Sequence, residues 1–145
     1  MTELNLPKFE FRLRSDNDTT YIFDPVRKKE LVLTPEEWVR QNIIQTLVQN
    51  FNYPSSLLHL EKSLIYNQRN KRYDALFYDR TAAPFLLIEC KAPHIKITQE
   101  TLIQANTYNH KIGSKYILLT NGLKHLCFKS DKGILQQLTT FPEFK

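Results

Sequence analysis

Long apolar runs are missing from this 145-residue chain, and that sets the first limit on what it can be. The longest unbroken aliphatic or aromatic stretches have four residues, Phe85 to Ile88 and Tyr116 to Leu119. A spanning helix needs about 18 or more, so a transmembrane protein is excluded. The opening residues, MTELNLPKFEFRLRS, contain no apolar core of the kind a secretory signal requires. No Gly-x-x-x-x-Gly-Lys loop occurs, which removes a P-loop ATPase. Cysteine is scarce. Cys90 and Cys127 each sit in an apolar stretch without Cys-x-x-Cys spacing, so they read as reduced core residues of a cytoplasmic protein. The histidines His59, His94, His110 and His125 have no ligand spacing, and a zinc site is not expected.

What is present suffices for one ordinary core. Hydrophobic residues make up 41% and aromatics 12%, which at this length leads us to expect a single domain over 1–145 with no motor beside it. The net charge of +5 is mild and by itself identifies no nucleic-acid protein. It is clustered, however, in Arg27-Lys28-Lys29 and in Arg69-Asn70-Lys71-Arg72.

Patterning gives the element order. Phe9, Phe11 and Leu13 alternate, Ser15 to Asp18 has turn chemistry, and Thr20 to Phe23 resumes an extended pattern; an N-terminal hairpin is expected over about 8–24. Thr34-Pro35-Glu36-Glu37 opens a helix to about Asn50, with Thr34 as N-cap, Pro35 at N1 and Glu37 completing a capping box. Strands are expected at about 57–66, 71–78 and 84–91, the last a near-continuous apolar run of the central-strand type. A second helix starts at Thr98 and ends near Lys111, with Gly113 as its stop signal. Asn121-Gly122 and Asp131-Lys132-Gly133 mark turns among closing strands. The expected fold class is α/β, a mixed sheet flanked by helices, with its core over about 34–138.

The chemistry concentrates on Asp74, Glu89, Cys90 and Lys91. Strand alternation puts Glu89 and Lys91 on one face and Cys90 on the other. A loop centred between Thr81 and Ala82 pairs Asp74 with Glu89 across the ladder. Opposed carboxylates repel, so either the register shifts or a divalent cation lies between them. A hard cation such as Mg²⁺ takes one or two carboxylates and substrate phosphate, and Lys91 could orient water or stabilise phosphate charge. Such a patch supports metal-assisted phosphodiester hydrolysis. The plainer alternative is a structural ion-pair cluster.

Asp74 followed by Glu89-Cys90-Lys91 resembles the D…(D/E)xK signature of the PD-(D/E)xK nuclease superfamily. Five ordered blocks, Thr34-Pro35-Glu36-Glu37-Trp38-Val39-Arg40-Gln41, Arg72-Tyr73-Asp74, Ile88-Glu89-Cys90-Lys91-Ala92-Pro93, Gln104-Ala105-Asn106-Thr107-Tyr108-Asn109 and Thr120-Asn121-Gly122, resemble the N-terminal domain of type I restriction enzyme R subunits, over about residues 21 to 137. The resemblance implies a restriction-endonuclease-like core and a Mg²⁺- or Mn²⁺-dependent DNA endonuclease without the translocase. It casts Asp74, Glu89 and Lys91 as catalytic residues. Asp74, Glu89 and the Cys90 backbone carbonyl become metal ligands, with Glu37 as a further candidate acid. Gln104 and Tyr108 match a Gln-x-x-x-Tyr motif and, with Arg72, Lys28 and Lys71, are candidates for nucleic-acid binding. Implied partners are DNA and other restriction-system subunits or a second copy, with no membrane. The alternative is a non-catalytic DNA-binding or assembly module that keeps the fold.

Overall fold

The computed structural model describes residues 1–60, 63–66 and 69–145, with segments 63–66 and 69–72 described by backbone alone. The first elements are β1 (Leu13–Asp16), β2 (Thr19–Asp24) and β3 (Lys29–Val32), a three-stranded antiparallel meander. The expected hairpin over 8–24 is therefore shorter at its start and gains a third strand. Its turn lies at Asn17 and Asp18, both at positive φ (48° and 66°), the backbone a two-residue hairpin loop requires. Phe11 does not join a strand; it packs edge-on against Trp38, with ring centroids 5.5 Å apart.

Helix α1 (Pro35–Asn50) begins as the sequence implies, with the Glu37 amide donating to Thr34 Oγ1 at 3.0 Å. The reciprocal half of the capping box does not form, because the Glu37 carboxylate is taken by Arg40 and Gln41. Val39, Ile43, Ile44 and Leu47 pack on the main sheet. The opposite side of α1 is covered too: Trp38 donates to the Thr2 carbonyl at 2.9 Å, and Leu4 and Leu6 join the same apolar cluster. A helix enclosed on both sides buries polar residues as well as apolar ones, here Gln41, Asn42 and Thr46.

The expected strand at 57–66 is broken into β4 (Leu58–Leu60) and β5 (Ser63–Tyr66). The latter pairs with β6 (Arg69–Arg72) as a separate two-stranded ribbon, so β7 (Ala75–Tyr78) starts four residues later than the pattern suggests. Next come β8 (Pro84–Cys90), α2 (Gln99–Ile112), β9 (Tyr116–Thr120), β10 (His125–Asp131) and β11 (Ile134–Leu138). The main sheet runs β11-β10-β9-β8-β7-β4, with only β8 and β9 parallel among its described neighbours. Helix α2 makes the crossover between those two, as a parallel connection demands. It is capped by Thr98 and Thr101 at its start and by Gly113, at φ 75°, at its end. The Asn-Gly turn is a four-residue loop, since His125 rather than Leu123 pairs with Thr120. Asn121 Oδ1 accepts the Leu123 and Lys124 amides and shapes that loop.

The sheet separates two cores. Leu86, Ile88 and Cys90 of β8 face α1, whereas Leu87 packs with Tyr73, Leu76 and the α2 residues Tyr108 and Ile112. This alternation carries the strand's charged end with it. Among the described residues no helix is long and apolar enough to cross a membrane.

Candidate active site

The β7–β8 register pairs Ala75 with Ile88, Leu76 with Leu87 and Phe77 with Leu86, then shifts between Phe77 and Tyr78. Continued by one residue, it sets Asp74 across from Glu89. Asp74 itself precedes β7, and both of its carboxylate oxygens have donors of their own. Oδ2 accepts the Cys90 amide at 2.6 Å, and Oδ1 accepts Arg40 Nη2 from α1 at 2.9 Å. Asp74 thus sits at the end of the sheet, tied to both β8 and α1.

Glu89 projects to the α2 side, by alternation with Ile88 and Cys90. Lys91 Nζ lies 3.4 Å from Glu89 Oε1. The backbone at this point is held by the parallel neighbour: the Lys91 amide donates to the Thr120 carbonyl at 2.8 Å. Cys90 is buried on the α1 side, and burial pushes its thiol well above the usual range, so it carries no thiolate. Its amide points at Asp74. In an extended strand the N–H and C=O of one residue share an edge, so the Cys90 carbonyl points the same way.

The first turn of α1 completes the cluster. Glu36 is raised above the ordinary carboxylate range, first by burial and then by the charge of Asp74, while Arg40 and Lys91 oppose the rise. Glu89 is raised too, by burial first, with Lys91 opposing and Asp74 adding to it. Three carboxylates therefore share one field. Glu37 is not among them as an open ligand. Oε1 pairs with Arg40 Nη1 and lies 3.8 Å from Arg27 Nη2, and Oε2 accepts Gln41 Nε2 at 2.9 Å. Glu37 is an interior anchor. Glu36 is the acid that faces Asp74, whereas Glu37, the acid of α1 that the resemblance offers as a ligand, is engaged by Arg40 and Gln41. Spacing does not separate the two acids, since Glu36 and Glu37 lie four and three residues before Arg40 and both pair with it.

Arg40 is the centre of this arrangement. It pairs with Glu36 at 3.4 Å, with Glu37, and with Asp74. Burial alone would lower its pKa, but Glu37 and Asp74 more than offset that and raise it, so it is permanently charged. The pairs continue outward: Arg27 Nε lies 2.8 Å from Asp24 Oδ2, and the Val26 and Arg27 amides donate to Asp24 Oδ1. A line of alternating charge, Asp24, Arg27, Glu37, Arg40 and Asp74, thus joins the β2–β3 turn to the site. Lys28, exposed and at φ 55°, sits on that turn.

The remaining candidates are scattered. Gln104 is exposed on α2. Tyr108 packs on Tyr73, the residue before Asp74, together with Leu76 and Leu87. The side chains of Arg72 and Lys71 lie outside the described residues.

Among the described residues no three His, Cys, Asp or Glu side chains form a ready-made ion-binding group. The donors still suit a hard cation. Asp74 Oδ1 accepts from Arg40 and Oδ2 from the Cys90 amide, and each oxygen has a second lone pair. Glu89 and Glu36 are clustered carboxylates, and Mg²⁺ needs only one or two such ligands beside water.

Comparison with known proteins narrows the reading. Residues 35–142 match the family described as the type I restriction enzyme R protein N terminus. Among solved structures, a fragment assigned as the HsdR subunit of a type I restriction enzyme from Vibrio vulnificus YJ016 aligns with a TM-score of 0.56 and 22% identity. The match covers 77% of this chain and 24% of that one, and at that identity it speaks for the fold alone. A search of curated proteins gave no match.

Proposed function

The chain belongs to the type I restriction enzyme R protein N-terminal family, and from that premise we propose that it is a Mg²⁺- or Mn²⁺-dependent DNA endonuclease of the PD-(D/E)xK kind. The observation that carries this reading is the meeting of Asp74, Glu89, Lys91 and the Cys90 backbone at the end of two adjacent central strands. Asp74, Glu89 and the Cys90 carbonyl would hold the ion, with Glu36 in place of Glu37 as the fourth donor. A bound Mg²⁺ or Mn²⁺ supplies charge neutralisation at the phosphate and a more acidic water.

The rest falls to this chain's own side chains. Lys91, partly exposed and steered by Glu89, donates to the attacking water or to a non-bridging phosphate oxygen. The Cys90 amide and Arg40 fix Asp74, so its carboxylate is oriented before substrate arrives. Lys28 on the charge-linked turn, with Lys71 and Arg72, contacts phosphates, and Gln104 and Tyr108 line the approach along α2. Partners on this reading are DNA and other subunits of a restriction system, in the cytoplasm.

A second reading is favoured by one observation: Glu36, Glu37 and Asp74 all pair with the same arginine, Arg40, which already offsets their charge. A DNA-binding or assembly module that has lost catalysis would keep such an ion-paired cluster. Plasmid nicking with and without Mg²⁺ decides. Metal-dependent nicking that Asp74→Asn abolishes supports the nuclease; DNA binding without nicking across divalent metals supports the module.

A further inference from the structure

Arg40 has more contacts with acids than a helix-surface arginine needs. Its guanidinium touches Glu36, Glu37 and Asp74, and its side chain is 7% exposed. Nη2 alone reaches both Asp74 Oδ1, at 2.9 Å, and Glu36 Oε1, at 3.4 Å. Those two oxygens belong to acids that share the field of the site, Glu36 with Lys91 and Asp74 with Glu89. A buried charge persists only when paired, and here the pairing partner of the acid cluster is built into the chain.

We propose that Arg40 is a positioning residue that serves as a resident cation of the acid cluster and competes with a divalent ion for Asp74 Oδ1 and Glu36 Oε1. This rests on the nuclease reading of the same acids. The guanidinium offsets the charge of the cluster and holds Asp74 in the orientation that also accepts the Cys90 amide. When an ion enters, Nη2 gives up part of its hold on those oxygens, while Nη1 stays on Glu37, which Gln41 and Arg27 anchor from behind. Glu37 therefore acts as the tether of the competitor and not as a ligand. The arrangement makes metal affinity weaker than the acids alone would give, and makes Asp74 better ordered.

Those two consequences point in opposite directions, which separates this role from mere structural support. The test is calorimetric titration of the full chain with Mg²⁺, with nicking measured alongside, for the wild type and for Arg40→Gln, Arg40→Lys and the double variant Glu37→Gln/Arg40→Gln. Losing the neighbouring cation should tighten Mg²⁺ binding by about tenfold in Arg40→Gln, because like charges no longer oppose each other at short range. Nicking should nevertheless fall, since Asp74 loses its fixed orientation. Arg40→Lys should return Mg²⁺ affinity toward the wild-type value, because the charge remains, without restoring nicking, because an ammonium lacks the two-armed fork.

Removing one member of a buried pair can unfold a protein, and the double variant, which removes both charges, guards against that. Equal or weaker Mg²⁺ binding in a folded variant that lacks Arg40 would overturn the competition. So would a double variant that fails to fold even with Mg²⁺, because Arg40 would then be a scaffold residue that no ion can replace. If the wild type binds no divalent ion but Arg40→Gln does, the competition stands and the nuclease reading of the native chain falls. If none of the proteins binds an ion, both fall.

Discussion

Asp74 and Cys90 are joined by a 2.6 Å hydrogen bond from the Cys90 amide to Asp74 Oδ2, made where β7 has not yet begun and β8 is ending. The bond turns the carboxylate into the plane of the sheet. It explains how two acids in opposing register coexist: Asp74 is satisfied by a backbone donor and by Arg40, and Glu89 by Lys91 on the α2 side.

Lys91 and Glu89 should separate by their effects on metal and on chemistry. Lys91→Ala is expected to abolish Mg²⁺-dependent nicking while leaving Mg²⁺ affinity within about twofold, since an ammonium ligates no cation. Glu89→Gln should weaken both together. Calorimetry and plasmid nicking check the pair; unchanged nicking in Lys91→Ala would remove the lysine from the mechanism.

Glu89 also gives a pH signature in the metal-free protein. Its folded pKa lies above its ordinary 4.5, through burial and Asp74 against the opposition of Lys91. The folded state therefore binds the proton more tightly than the unfolded chain. The associated stability is complete below about 4.5 and is lost as pH rises through the folded value. Glu89→Gln should melt about 2–4 °C higher than wild type in EDTA at pH 7.5, on the usual size of such shifts for a chain of this length. The gap should close as pH falls toward 4.5. A gap that instead widens in acid would mean that the carboxylate is stabilised by its surroundings.

DNA binding should be electrostatic and carried in part by the β2–β3 turn. Lys28→Glu is expected to weaken affinity for all duplex sequences alike and to flatten the log–log salt slope by about one unit or more, through lost counterion release. Fluorescence anisotropy across salt concentrations measures this. Loss for one sequence only would reveal base readout by the turn.

Gly122 should be intolerant of a side chain for two separable reasons. Its φ of 86° is costly for an L-residue, and an added Cβ would meet Leu4 Cδ2 at 2.6 Å. Gly122→Ala should cost about 1–2 kcal/mol from the backbone alone, with Leu4→Ala in the same chain relieving the remainder. A double-mutant cycle by urea unfolding reads the coupling; strict additivity would show that the N-terminal segment does not lie on this loop.

Much of the architecture was legible in the chain because local chemistry dictates it. Thr34 and Pro35 start α1, Thr98 and Gly113 bound α2, and the apolar run from Phe85 marks the central strand. The single strand expected over 57–66 divides because apolar spacing cannot tell which strand a residue pairs with; β4 joins the main sheet, whereas β5 pairs with β6 outside it. The register of Ala75 to Phe77 on β8 agrees with a loop centred between Thr81 and Ala82, but the one-residue shift between Phe77 and Tyr78 is an irregularity that loop spacing does not foretell. Which acid of α1 faces Asp74 was not legible in the chain. Glu36 and Glu37 are adjacent and chemically alike, and the choice depends on the angle at which the helix crosses the sheet. That angle is decided by Val39, Ile43 and Leu47 packing on one side and by the N-terminal segment closing on the other. Residue types and spacing alone thus determined where the charged strand end would lie. Tertiary packing decided that a buried arginine would stand among its acids, because only the folded chain brings position 40 of a helix to position 74 of a strand.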